Sequence, residues 1–236
     1  MEKIIGKRSP VNKGSFIAAV LNYFVGYTFV FPLLGMFVSA LVLNFDGLAP
    51  VIAWVIYIGV LLITLYLLFP YLKESWPNFT KDVTKNILWV IIFTFALIVV
   101  ATATSAIVSL IFGPDTSINQ QEVELITRIQ PVQTFFAIVI FAPVVEELVF
   151  RGCLYRSLSA KMPTTLAMVI SALMFGAVHI LAGILTFNLR DIAFILVYGS
   201  MGLVFVKVYD NTQNIISCIL VHSLYNAISF AIMIGM

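Results

Sequence analysis

Apolar residues are grouped along the chain in seven long runs, which short polar segments separate. A helix needs about 20 mainly apolar residues to cross a bilayer, and most of the runs have that length or more. Short segments of alternating polarity, which are typical of membrane barrels, are absent, so we predict helices. The runs are Phe16 to Leu43, Val51 to Tyr71, Ile87 to Phe112, Val132 to Leu158, Thr165 to Leu185, Asp191 to Val208 and Ile215 to Ile234.

The longest polar segment lies between the third and fourth runs, from Gly113 to Pro131. Within it, Ser117 and Gln120 have the spacing of a capping box, a motif that begins helices. We therefore predict a short helix from Ile118 to Ile129, lying at the outer surface of the membrane.

Composition agrees with the pattern of apolar runs. Hydrophobic residues make up 61% of the chain and charged residues 10%, against roughly 45–50% and 25% in soluble domains. A soluble fold could not cover its surface with so few charges. The net charge of +2 is too small to indicate a nucleic-acid partner. We predict an all-α, polytopic membrane protein whose solvent is the lipid bilayer.

Basic residues give an orientation, because Lys and Arg are enriched in cytoplasmic loops. With seven spans and a cytoplasmic N-terminus, eleven basic residues lie in inner segments and two, Arg128 and Arg190, in outer segments. We therefore predict the N-terminus inside and the C-terminus outside. Both cysteines, Cys153 and Cys218, fall within apolar runs and are expected to be reduced and buried.

Few ionisable residues lie within the predicted spans, and such residues are costly there unless they have a function. The fourth run contains two glutamates and an arginine, and both histidines of the chain lie in later runs. With one amide, these residues form the candidate set Glu146, Glu147, Arg151, His179, His222 and Asn226.

Helical spacing separates their roles. Glu147 and Arg151 are four residues apart, so they share a face and can form an ion pair. Glu146 is rotated by about 100° from its neighbour and can face a different site. His222 and Asn226, also four residues apart, share a face of the last helix.

Four of these groups are predicted to lie at a similar depth in the membrane. A rise of 1.5 Å per residue puts Glu146, His179, His222 and Asn226 at about 17–22 Å from the inner ends of three different helices. Phe175 lies four residues before His179, where its ring can pack on the imidazole and fix it. One intramembrane site accounts for this common level.

The residue types are those of a hydrolase. A carboxylate beside neutral imidazoles can activate water, and an imidazole and an amide can donate hydrogen bonds to a developing oxyanion. Glu146, His179 and His222 could instead hold zinc, with an open position for water. The residues leave a metal-bound water and a metal-free one equally open. The His-Glu-x-x-His and Gly-x-Ser-x-Gly motifs are absent.

Three motifs in this order resemble the CPBP family of intramembrane proteases, which is also called the CAAX-protease or Abi family. They are Glu-Glu-x-x-x-Arg from Glu146 to Arg151, Phe-x-x-x-His from Phe175 to His179, and His-x-x-x-Asn from His222 to Asn226. The resemblance covers about Pro131 to Gly235. It implies a division into N-terminal transmembrane helices with the outer loop, residues 1–130, and a catalytic core, residues 131–236.

The resemblance also implies roles. Glu146 would be the base that activates water, and His179 would orient this water or bind a metal. The remaining motif residues would have two roles: support of the base by Glu147 and Arg151, and stabilisation of the oxyanion by His222 and Asn226.

The function expected from this resemblance is cleavage of a membrane-associated peptide or protein in a bacterial plasma membrane. Peptide processing and bacteriocin self-immunity are the biological roles that the family suggests. Two alternatives from other classes stay open. Intramembrane Glu and His also suit a proton-coupled transporter, although no inverted repeat is visible. A non-catalytic membrane scaffold or immunity protein is the other.

Overall fold

The computed structural model describes residues 9–41 and 48–235, and the regular structure of these residues is helical, without strands. Lys3, Lys7, Arg8 and the predicted end of the first run at Leu43 lie outside the described residues. The first helix, α1, consists of three continuous stretches, Lys13–Val20, the π-helical Leu21–Val30 and Phe31–Leu41. The other main helices are α2 (Leu48–Lys81), α3 (Val83–Phe112), α4 (Ile118–Ile129), α5 (Pro131–Ser159), α6 (Thr164–His179), α7 (Leu189–Thr212) and α8 (Ile215–Gly235).

Six of the described helices are long and apolar enough to cross a membrane: α1, α2, α3, α5, α7 and α8. The fifth predicted run is divided between α6, which has 16 residues, and a short helix, Leu181–Leu185. The backbone leaves helical geometry between them, at Ile180 (φ −108°, ψ 17°). The count of seven spans and the cytoplasmic N-terminus therefore stay predictions.

Helix α4 begins where the capping box predicts. The Ser117 side chain accepts a hydrogen bond from the backbone N–H of Gln120 at 3.1 Å, and the helix ends at Ile129. This satisfies one of the free N–H groups of the first turn. The predicted bounds are confirmed.

Helix α5 is the centre of the molecule. Its residues 145–157 are buried without interruption. Both cysteines are buried, as predicted, and the two described side chains are not joined by a disulfide. Large apolar side chains on α2 and α3 point outward, such as Tyr66 and Leu110, which are 84% and 86% exposed. Outward apolar surface of this extent fits a lipid environment, and the chain is an all-α, polytopic membrane protein.

Two glycines let α7 approach α6 at backbone distance. A Cβ on Gly202 would lie 2.9 Å from the carbonyl oxygen of Ala172, and one on Gly176 would lie 2.9 Å from the backbone nitrogen of Gly199. Small residues allow such close approach between membrane helices. This contact fixes α6, which carries His179, against α7.

Candidate active site

The helical backbone around Glu146 is irregular. Glu146 lies between two π-helical stretches of α5, Phe136–Phe141 and Leu148–Tyr155. π-Helical turns within α-helices are frequent at functional sites. The backbone at this level is therefore not a regular ladder of hydrogen bonds, and polar groups from other helices can bind to it.

Asn226 binds one carbonyl that the irregular backbone leaves free. The N–H of Ala142 bonds to the carbonyl of Ala137, five residues earlier, and Pro143 has no N–H to donate. The carbonyl of Ile138 instead accepts a hydrogen bond from Nδ2 of Asn226 at 2.6 Å. An amide nitrogen carries two hydrogens, so Asn226 keeps a second donor for a ligand.

Four of the predicted site residues line one cavity of about 510 Å³. They are Glu146 from α5, His179 from α6, and His222 and Asn226 from α8. Glu147 and Arg151 do not line this cavity. The structure thus separates a group that faces the cavity from a buried pair behind it.

The two carboxylate oxygens of Glu146 have different surroundings. Its Oε1 accepts a hydrogen bond from the Tyr23 hydroxyl at 3.2 Å. Its Oε2 is buried and receives no hydrogen bond from a described residue, and it lies 4.0 Å from Nε2 of His179. One oxygen is held by the protein, and the other is left for a ligand in the cavity.

His179 is held from three sides. Its Nδ1 lies 2.8 Å from the carbonyl oxygen of Phe175, and a carbonyl only accepts. We therefore assign the hydrogen to Nδ1, which leaves Nε2 as an acceptor facing Glu146. The Phe175 and Tyr198 rings pack on the imidazole, with centroid distances of 4.5 and 4.7 Å. The Tyr198 hydroxyl is 2.6 Å from the Ser117 hydroxyl at the start of α4.

Glu147 binds two donors through one oxygen. Its Oε1 accepts hydrogen bonds from Nη1 of Arg151 at 3.0 Å and from Nδ1 of His222 at 2.8 Å. The predicted pairing of Glu147 with Arg151 is confirmed. Both side chains are fully buried, and Nη2 of Arg151 also donates to the carbonyl of Gly202 at 3.0 Å.

Aromatic rings enclose this ionic cluster. The Arg151 guanidinium lies 4.6 Å from the centre of the Phe175 ring and 4.9 Å from that of Phe205. Phe205 also stacks on His222, with centroids 4.5 Å apart and ring planes at 27°. Ring faces stabilise a cation that has lost its water. The aromatic enclosure therefore offsets part of the cost of burying Arg151.

Sequence reasoning missed two tyrosines that contact the site residues. Tyr23 lies on α1, where the sequence offered only apolar helix, and Tyr198 lies just before the glycine that α7 places against α6. Neither is ionised at neutral pH, so a search for charged groups in spans does not find them. A hydroxyl-bearing aromatic residue in an otherwise apolar span is the signal that was available.

The zinc alternative has no ready set of ligands in this arrangement. Among the residues that the structure describes, no group of three or more His, Cys, Asp and Glu side chains lies close enough to hold a metal ion. Nδ1 of His222 bonds to Glu147 and Nδ1 of His179 bonds to a carbonyl, so Nε2 is the ring atom of each histidine that could bind a metal.

Comparison with known proteins gives a family match over the second half of the chain. Residues 128–228 match the family described as "Type II CAAX prenyl endopeptidase Rce1-like". This region includes all six predicted site residues. No solved structure matches significantly.

Two curated bacterial relatives are similar over a longer region. The chain is 28% identical to "Putative membrane peptidase YdiL" of Bacillus subtilis over 186 residues, 78% of this chain and 70% of the relative. It is 29% identical to "Membrane-embedded CAAX protease MroQ" of Staphylococcus aureus over 154 residues, 62% of this chain and 58% of the relative. The first match is longer than residues 131–236 and so includes part of the preceding helices. The resemblance to the CAAX-protease family is confirmed, with residues 128–228 as the region that matches its Rce1-like model.

Proposed function

We propose that this protein is an intramembrane endopeptidase in which Glu146 activates a water molecule for attack on a peptide bond. The observation that carries the proposal is the position of Glu146. Its Oε2 is buried, has no donor among the described residues and faces Nε2 of His179 across 4.0 Å at the wall of a cavity. Two acceptors at this separation can each receive one hydrogen of the same water molecule.

The first step follows from that geometry. A water that donates to Oε2 of Glu146 and Nε2 of His179 presents its oxygen lone pairs to the cavity. Glu146 takes one proton as the oxygen bonds to the substrate carbonyl carbon. The carbonyl π bond breaks, and the carbonyl oxygen becomes an oxyanion.

The oxyanion would be stabilised from α8. The free N–H of Asn226 is one donor, and Nε2–H of His222 is the other when this imidazole carries both hydrogens. A doubly protonated His222 is compatible with its short contact to Glu147. The proton held by Glu146 then moves to the leaving nitrogen as the C–N bond breaks, and the products are an amine and a carboxylic acid.

Glu147 and Arg151 act in this proposal through other residues. They fix His222 through the shared oxygen of Glu147, and they stay outside the cavity. We propose that both are positioning residues.

The substrate class is a peptide or protein segment at the membrane. The six apolar helices and the names of the two relatives support a membrane peptidase. Processing of peptides is the role that this proposal favours, and bacteriocin self-immunity would be one form of it.

The test is cleavage of fluorescence-quenched peptide pools by the purified full chain in liposomes. The wild type should cleave some of the pools, and Glu146→Gln should lose at least about 100-fold in rate, since general-base catalysis contributes 10²–10⁴. Glu122→Gln, on the exposed side of α4, is the matched control and should cleave like the wild type. Full activity of Glu146→Gln would contradict the proposal.

Metal dependence is tested on the same preparation. The metal-free mechanism predicts activity that a chelator does not change and purified enzyme without stoichiometric zinc. Chelator-sensitive activity that zinc restores would instead support the zinc alternative, with Glu146, His179 and His222 as the ligands to examine.

A further inference from the structure

The cavity of Glu146 extends as far as α4, which contributes a second carboxylate. Glu124 lines the same cavity, together with the neighbouring polar residues Asn119 and Gln120. The described residues that line the cavity include no Lys or Arg. The described wall of the cavity therefore has carboxylates from two helices and two histidines, without a Lys or Arg side chain to pair with Glu124.

Glu124 is held in place without being neutralised. Its Oε1 accepts a hydrogen bond from the side-chain amide of Gln120, one turn earlier, at 2.9 Å. The ion pairs of the described residues do not include Glu124. A neutral amide orients a carboxylate but leaves its charge, so Glu124 is available to a cation from outside the protein.

The unpartnered oxygen of Glu146 is an independent sign that a ligand belongs in this cavity. It belongs to Glu146, a residue that is 7% exposed, and an unpaired acceptor is costly at a buried position. The remaining wall includes amide and hydroxyl groups, among them Gln133 and Ser229. Such groups can bind the N–H and C=O groups of a peptide main chain.

The carboxylates in the cavity favour some peptide side chains over others. A free C-terminal carboxylate beside Glu124 would meet like charge and no Lys or Arg of the described wall, which is unfavourable. A Lys or Arg side chain would form a charge-assisted hydrogen bond with Glu124. A basic residue near the scissile bond is thus the substrate feature that fits the cavity.

We propose that the substrate is a cationic peptide segment, whose Lys or Arg side chain is bound by Glu124 while an internal peptide bond lies at Glu146. This inference rests on the proposed peptidase function. It makes Glu124 a specificity-determining residue and α4 part of the substrate site.

Binding is tested first, with the non-cleaving variant. The probes are fluorescein-labelled, C-terminally amidated peptide pools of uncharged random sequence with one fixed residue, Lys, Gln or Glu. Their affinity for Glu146→Gln in liposomes is measured by anisotropy. The Lys pool should bind about fivefold more tightly than the Gln pool, the upper range for a partly exposed ion pair, and the Glu pool more weakly than both.

Second substitutions in that background identify the residue responsible. Adding Glu124→Gln should abolish the preference for Lys. Adding Glu122→Gln, which removes the same charge from the exposed side of the same helix, should keep it. Equal loss with both would show an effect of surface charge and would overturn the inference, as would an unchanged preference with Glu124→Gln.

Charge reversal and cleavage complete the test. Glu124→Lys on the otherwise wild-type chain should reverse the preference, so that the Glu pool is cleaved faster than the Lys pool. Cleavage by the wild type without any charge preference would overturn this inference alone. Selective binding of the Lys pool without cleavage of any pool would instead overturn the peptidase function and leave a cationic-peptide site.

Discussion

Glu146 has one oxygen bound to Tyr23 and one oxygen open to the cavity, and this asymmetry prepares it for a single task. A carboxylate that could rotate freely would present either oxygen to its ligand. The Tyr23 hydroxyl at 3.2 Å removes that freedom. The ring that carries it is itself fixed, because it packs edge-to-face on Phe150 at 5.5 Å. We therefore propose that Tyr23 is a positioning residue, from a helix outside the motif region.

Tyr23→Phe should lower kcat by about tenfold and leave KM nearly unchanged, because one hydrogen bond to a charged group is lost while the ring still packs. The measurement is steady-state cleavage of a peptide that the wild type cleaves. Tyr66→Phe, at a position that is 84% exposed, is the control. A change in KM alone would show that Tyr23 binds substrate and does not position the base.

Removal of Arg151 should act on stability more than on chemistry. Breaking a fully buried ion pair leaves an uncompensated charge, at a cost of about 3–5 kcal/mol. Arg151→Ala should therefore lower the yield of monodisperse detergent-solubilised protein and its Tm. Arg128→Ala, at an exposed position of α4, should leave both within error.

A second substitution, which also removes the charge of Glu147, tests the ion pair more sharply than Arg151→Ala alone. In the Glu147→Gln/Arg151→Ala double variant the unpaired carboxylate is gone, so part of the lost Tm should return. A single Arg151→Ala variant that melts like the wild type would contradict the role assigned to the ion pair.

At the scale of helices, the contact between α6 and α7 sets the distance between the parts of the site. Gly202 contributes twice: its missing side chain lets α7 touch Ala172, and its carbonyl binds Arg151. Any atom added at this position must push the two helices apart. The consequence reaches both His179 on α6 and the ionic cluster on α5.

Gly202→Ala should lower the free energy of unfolding by about 1–3 kcal/mol, the usual cost of overpacking. Gly59→Ala is the matched control, because a Cβ at Gly59 meets nothing within 4 Å and alanine favours helix by about 0.5–1 kcal/mol. Thermal unfolding in detergent compares the two. A Gly202→Ala variant as stable as the control would show that the helices can separate freely.

Local rules predict helices better than they predict breaks in them. The start of α4 follows from a cap at Ser117, because capping is a contact between neighbours in sequence. The division of the fifth run at Ile180 has no such local signal, since apolar residues continue across it. The π-helical stretches of α5 were likewise not predicted: Pro143 between them indicates an irregular backbone, but it does not fix the type of helical turn on either side.

At the scale of the whole molecule, residues that are far apart in the sequence form one site in the middle of the fold. Depth along the helices predicted that Glu146, His179, His222 and Asn226 lie at one level, and the structure brings them to one cavity. The contact of Tyr23 with Glu146 was not predictable, because helical periodicity fixes the face of a residue but not which helix lies opposite. Pairing of helices α1 and α5 is a property of the complete bundle.

The measurement that tests the central claim most directly is a comparison of peptide and membrane proteomes. Cells that produce the wild-type chain are compared with cells that produce Glu146→Gln at equal levels, with Glu122→Gln as the control. We expect a precursor that accumulates with Glu146→Gln, while its cleaved product appears with the wild type and with Glu122→Gln. Identical proteomes in all three strains, together with a phenotype when the whole gene is deleted, would contradict a peptidase function and favour a scaffold or transport function.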